Sequence, residues 1–135
     1  VTAQGFGAQD KVDKSGDTMT GPLNSGSSIT AGVVTLTYAA TVTVPASAGN
    51  HFRLTLTGNA TLGTPQNPAD GQKMTVEIIQ DGVGSRTLAY SGAYVFGTDI
   101  PQPVLSTGPG KRDFLGLIYN AVTGLWYLVA CIHNF

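Results

Sequence analysis

The sequence predicts an all-β fold: an antiparallel, jelly-roll-like β-sandwich head behind a short extended N-terminal neck. Three observations predict it. Short β-branched or alternating apolar runs recur from residue 33 onward, and Gly, Pro, Asn and Asp clusters separate them. No segment carries a convincing helical period, apart from a weak turn near Gln9 to Lys14. About eight short strands with such frequent punctuation fit a sandwich, and no repeat of roughly 20 to 50 residues is visible.

Residues 1–38 read as the neck and residues 39–135 as the head. The first 32 residues contain Gly5, Gly7, Gly16, Gly21, Gly26 and Gly32, while Val12, Met19, Leu23 and Ile29 are their main large apolar groups. Such a stretch buries too little apolar area on its own to offset its chain entropy, so it is either a flexible arm or ordered by other copies of itself.

The strands follow. Val33 to Tyr38 and Ala40 to Val44 are rich in β-branched residues. In Phe52 to Thr57, Phe52, Leu54 and Leu56 point one way and Arg53, Thr55 and Thr57 the other; Met74 to Ile78 repeats the pattern. These are strands with one wet face, as antiparallel sheets allow. Thr57 to Asn59, Pro65 to Gly71, Asp81 to Ser85, Ile100 to Pro103 and Ser106 to Gly110 supply turns.

Asn120 to Gly124 joins two apolar runs as a hairpin loop. Phe114 to Tyr119 and Leu125 to Ile132 are apolar on both faces. Either a long loop of the same chain covers the second face or another subunit does. Left bare, it would exceed the apolar patch usual for a monomer, and the sequence therefore predicts an oligomer.

Composition excludes several classes. Charged residues are 11% of the 135-residue chain, against about 25% in an ordinary domain. Apolar residues still reach 41%, unlike a disordered chain. A net charge of −1 and a single adjacent basic pair, Lys111-Arg112, offer no phosphate-binding field, so no nucleic-acid partner is expected. No apolar stretch approaches the ~20 residues of a membrane span, so no membrane insertion is expected. Cys131, the sole cysteine, allows neither an intramolecular disulfide nor a multi-cysteine zinc site. The chain opens at Val1 without an initiator Met or signal-like run, which reads as a fragment or processed chain.

One motif is more specific. Lys14-Ser15-Gly16-Asp17-Thr18-Met19-Thr20-Gly21-Pro22-Leu23 resembles a recurring motif of bacteriophage tail-fibre proteins, N/D-K-x-G-D-T-M-T-G-x-L, with Ser15 and Pro22 at its two tolerant positions. More loosely, Ala48 to Asn59, Ile79 to Gly82 and the ending from Leu125 to Phe135 look like the β-rich heads of phage fibre and virion-surface proteins. The resemblance implies a homotrimer on the virion surface, on tail fibre or capsid exterior, whose N-terminal segment meets other virion proteins. Long fibres carry several copies of the motif, and this chain carries one. In a trimer, Met19 and Leu23 would be buried around the axis, and Leu115, Leu117, Tyr127 and Val129 of the closing hairpin would form the interface. The implied function is non-covalent attachment to host-surface carbohydrate. Two alternatives are a capsid-decorating head fibre that stabilises the shell and a polysaccharide depolymerase.

No catalytic residues and no cofactor are assigned. The chain has no G-x-S-x-G elbow, P-loop, Rossmann glycines or H-E-x-x-H. Glu77, the only glutamate, sits on a regular strand and reads as a solvated residue opposite Arg53 or Arg86. No metal site is assigned, although three copies of His133 near a trimer axis would place imidazoles where an ion binds. Cys131 reads as a small buried hydrophobe. The candidate ligand contacts are Tyr90 and Tyr94, as loop aromatics that stack on sugars, with Arg86, Asp99 and Arg112 bonding hydroxyls. Trp126 and Phe96 read as core anchors.

Overall fold

The computed structural model describes residues 26–135. The chain divides between Thr30 and Ala31, and the architecture below is that of residues 31–135. The Lys14 to Leu23 motif, with the expected interface residues Met19 and Leu23, lies outside the described residues.

The described residues are predominantly β. In order they form β1 (Val33–Leu36), β2 (Thr41–Val42), β3 (His51–Leu56), β4 (Ala60–Leu62), β5 (Lys73–Gln80), β6 (Leu88–Tyr90), β7 (Tyr94–Val95), β8 (Arg112–Asn120) and β9 (Leu125–Ile132), with one 3-10 turn at Ala46–Ala48. One sheet has six strands in the order β1-β3-β5-β8-β9-β7; the other has three, β2-β4-β6.

The expected antiparallel arrangement is corrected. β1, β3 and β5 pair in parallel, as do β2, β4 and β6, and β7 with β9. Only β5 with β8 and β8 with β9 run antiparallel. The chain crosses from one sheet to the other and back, so β1–β2, β3–β4 and β5–β6 are three stacked turns. Parallel sheets usually need helices on both faces. Here the second sheet supplies the crossover and covers one face, leaving the other wet, which is why the alternating pattern did not distinguish the two arrangements. The boundary expected near residue 38 also moves, because β1 is a strand of the six-stranded sheet.

Stacking the turns places like residues in rows. Val34, Phe52, Val76, Leu115 and Cys131 are successive cross-strand partners through the inward face. Val42, Leu62 and Tyr90 make the matching row of the smaller sheet. Side chains of both sheets belong to one hydrophobic core, in which Phe52, Leu54, Leu56, Val76, Val42 and Leu62 are fully buried. Polar side chains hold the corners. The Gln72 amide donates to the carbonyls of Ala46 (2.7 Å) and Gly49 (3.1 Å), tying the first turn of chain to the start of β5. Gln80 accepts from the Arg86 N–H and donates to the Arg86 carbonyl, closing the turn after β5. Inside that turn Asp81 Oδ1 accepts the N–H groups of Val83 and Gly84, as Asp in such turns does.

The closing hairpin has an inner and an outer side. Leu115 and Leu117 are 1% and 2% exposed within the chain's own core, which corrects their assignment to a subunit interface. Their cross-strand neighbours Met74 and Val76 on β5 belong to the same core. On the outer side, a bulge between Gly116 and Leu117 on β8 leaves Val129 as an extra residue on β9. Val129 and Ala130 are both exposed as a result.

Candidate functional site

The outer face of the six-stranded sheet carries a row of cross-strand partners, Thr35, Arg53, Glu77, Phe114 and Ile132. Glu77 sits at its centre and is only 2% exposed, although the alternation places it on the wet face. Two arginines from flanking strands cover it. Arg53 Nε donates to Oε2 at 2.6 Å from β3, and Arg112 Nη1 donates to Oε1 at 2.9 Å from the start of β8. Both carboxylate oxygens are thus held by charge-assisted bonds, which are among the stronger hydrogen bonds. His51 Nε2 lies 3.9 Å from Oε2; that nitrogen is buried and makes no hydrogen bond among the described residues. The expectation of a solvated Glu77 opposite Arg53 or Arg86 is corrected in part: Arg53 is a partner, Arg86 pairs with Asp81 instead, and the carboxylate is enclosed.

Two surroundings flank this cluster. Toward the end of the chain, the backbone of Phe135 exchanges two hydrogen bonds with Arg112, each 3.1 Å. That pairing brings the Phe135 ring edge-to-face against Phe114 at 5.7 Å. On the other side, a cleft of about 1280 Å³ opens beside His51, with Asn50, Asp70 and Lys73 on its rim and Met74, Leu117 and Val129 among its apolar lining.

Beyond the face, Asp113 ties the chain end to the loop before β8. It is buried, and its oxygens accept from Ser106 N–H and hydroxyl and from the Asn134 N–H, with His133 Nδ1 at 3.3 Å. The other ring nitrogen of His133 lies 3.2 Å from Cys131 Sγ. Burial, and then the Asp113 charge, push the Cys131 thiol above its ordinary value, opposing thiolate formation. Among the described residues no cluster of three or more His, Cys, Asp or Glu side chains is arranged to hold a metal.

The five expected ligand contacts are dispersed. Tyr94 is buried and donates its hydroxyl to the Gly63 carbonyl at 2.9 Å; burial raises its pKa. Tyr90 stacks edge-to-face on Tyr94 and Phe96 with its hydroxyl buried, and burial again raises its pKa. These two tyrosines form wall rather than recognition surface, because β6 and β7 carry them into the core instead of a loop. Arg86 pairs with Asp81 at 2.8 Å in the turn after β5, and its bonds are the first cause of a lowered Asp81 pKa. Asp99 is exposed in the loop before β8. Arg112 alone of the five belongs to the charged cluster. Arg53, Glu77 and His51 were missed as a site; their register across β3 and β5 was the signal, and it requires knowing which strands are neighbours. Trp126 and Phe96 do pack in or against the core.

No family model, no curated protein and no solved structure matches this chain.

Proposed function

We propose that this chain is a bacteriophage virion fibre protein. It assembles as a homotrimer on the virion surface, meets other virion proteins through its N-terminal segment and attaches non-covalently to host-surface glycans through its C-terminal head. The Lys14 to Leu23 motif supports the fibre assignment, and the β-rich head is compatible with it.

The observation that carries the assembly is the outer side of β8 and β9. Ile118 and Tyr127 are partly exposed there, and Val129 and Ile132 are 50% and 55% exposed. No loop among the described residues buries them. A contiguous apolar face of this kind is a protein-interaction surface. Sister copies cover it, with Tyr127 and Val129 as contacts, and three identical heads multiply weak binding to a repeated glycan.

Light scattering of the full chain at micromolar concentration tests the assembly. A mass three times that of one chain is expected, and a monomer mass overturns the trimer. Immunogold labelling of intact particles tests location: label on fibres is expected, and its absence from the particle surface overturns the virion assignment.

A further inference from the structure

We propose that Arg53 and Arg112, positioned by Glu77, form a subsite for the carboxylate of an acidic saccharide, the inference resting on the glycan-attachment reading for its biological source but not for its chemistry. Glu77 uses one donor of each guanidinium, Nε of Arg53 and Nη1 of Arg112. An arginine carries five N–H donors, so each has others left over, and both side chains are close to half exposed. The cluster retains one formal positive charge, two arginines against one glutamate, in a chain whose net charge is −1.

Long arginine side chains on a sheet surface ordinarily sample many rotamers, and ordering them weakens any ligand they bind. Here a carboxylate enclosed at the centre of the sheet fixes both forks before a ligand arrives. Planar guanidinium forks match planar carboxylates. The apolar neighbour narrows the class. Phe135 is 61% exposed and stands edge-to-face against Phe114, which is adjacent to Glu77 in the cross-strand row. A sugar acid presents a carboxylate beside a face of C–H groups, and the two halves of this surface meet those two chemistries. Free phosphate would use the arginines alone. Glu77 is a positioning residue in this arrangement, with both its oxygens already engaged.

Calorimetric titration of the full chain distinguishes the sources. The probes are a glucuronate-containing oligosaccharide, the corresponding neutral glucose oligosaccharide and inorganic phosphate. The acidic oligosaccharide is expected to bind about tenfold or more tighter than either of the others. Arg112→Lys keeps the charge but removes the fork, and it is expected to lose about tenfold in affinity for the acidic probe with an unchanged circular dichroism spectrum. Phe135→Ala is expected to weaken the acidic oligosaccharide and leave phosphate unaffected. Glu77→Gln adds a formal positive charge yet releases the forks; weaker binding supports positioning, and tighter binding overturns it.

Equal affinity for acidic and neutral probes overturns the arginine subsite while leaving glycan attachment standing. Phosphate binding as tightly as the acidic oligosaccharide overturns the saccharide assignment. Acidic-probe binding by a chain that fails to adsorb to host cells upholds the subsite and overturns attachment.

Discussion

Ser106 and Asp113 are joined twice: the Ser106 N–H donates to Oδ2 at 2.7 Å and its hydroxyl to Oδ1 at 2.6 Å. With the Asn134 N–H on the same carboxylate at 3.0 Å, Asp113 clamps the loop before β8 and the segment after β9 onto one buried point. Burial by itself would raise this carboxyl. The Ser106 hydroxyl and N–H, the Asn134 N–H and His133 together outweigh it and hold the group below its ordinary 3.8. A depressed folded value stabilises the fold above the unfolded pKa, and that contribution is lost as pH falls through the folded value. Asp113→Asn is expected to cost about 1–3 kcal/mol at neutral pH, where its partners lose a charged acceptor. Denaturant unfolding of both proteins should show the gap narrowing below about pH 4. A gap that stays constant down to pH 2 would show that Asp113 is not the titrating group.

Tyr90 and Tyr94 make opposite predictions despite touching each other. The Tyr90 hydroxyl is buried without a hydrogen bond among the described residues, whereas Tyr94 donates to Gly63. Tyr90→Phe removes an unpaired polar group and keeps the ring contacts, so stability should hold or rise by up to about 1 kcal/mol. Tyr94→Phe orphans the buried Gly63 carbonyl and should cost about 1–2 kcal/mol. Thermal melts of the two variants check the order. Glycan affinity should be unchanged by Tyr90→Phe.

Two glycines of positive φ separate backbone strain from crowding. At Gly84 (φ +76°) a Cβ would stand 2.5 Å from the Thr107 carbonyl oxygen and 2.9 Å from the Pro109 nitrogen; at Gly124 (φ +70°) it meets open space. Gly124→Ala should cost about 1 kcal/mol, the conformational penalty alone. Gly84→Ala adds a clash with backbone that cannot rotate away, for about 2–4 kcal/mol. Equal melting temperatures for the two variants would show that the loop from Thr107 to Pro109 gives way freely.

How far the fold was legible depended on which property each residue encodes. Alternation at Phe52, Leu54 and Leu56 marked an inward face, and all three are buried. Strand direction leaves no such mark, since a parallel and an antiparallel neighbour ask the same alternation of β3. The stacked turns stayed hidden because they differ in length. Val33 pairs with His51 and His51 with Thr75, offsets of 18 and 24 residues in one sheet, and the smaller sheet gives 20 and 28. Glu77 was visible as the one glutamate, but its burial comes from arginines 24 and 35 residues away, which no local pattern connects. Tyr94 was misplaced for a related reason. A short Gly-containing stretch reads as a loop, and its entry into β7 is decided by pairing with Trp126 on β9.

The closing hairpin yields the prediction that bears most directly on assembly, because residues only a few positions apart face opposite ways. Leu117 is enclosed by its own chain, while Val129 and Ile132 stand half exposed on the outer side. Leu117→Glu buries an unpaired charge and should prevent folding, seen as loss of the β circular dichroism signal. Val129→Glu combined with Ile132→Glu touches no core residue and should leave that signal intact. With this face turned toward the threefold axis, however, the substitutions bring like charges together, and association should weaken by about tenfold or more. Light scattering across a concentration series reads the result as a shift from trimer to monomer mass. Were the doubly substituted chain to keep its trimer mass, sister copies would have to meet elsewhere, and the apolar outer side of β8 and β9 would need a different partner.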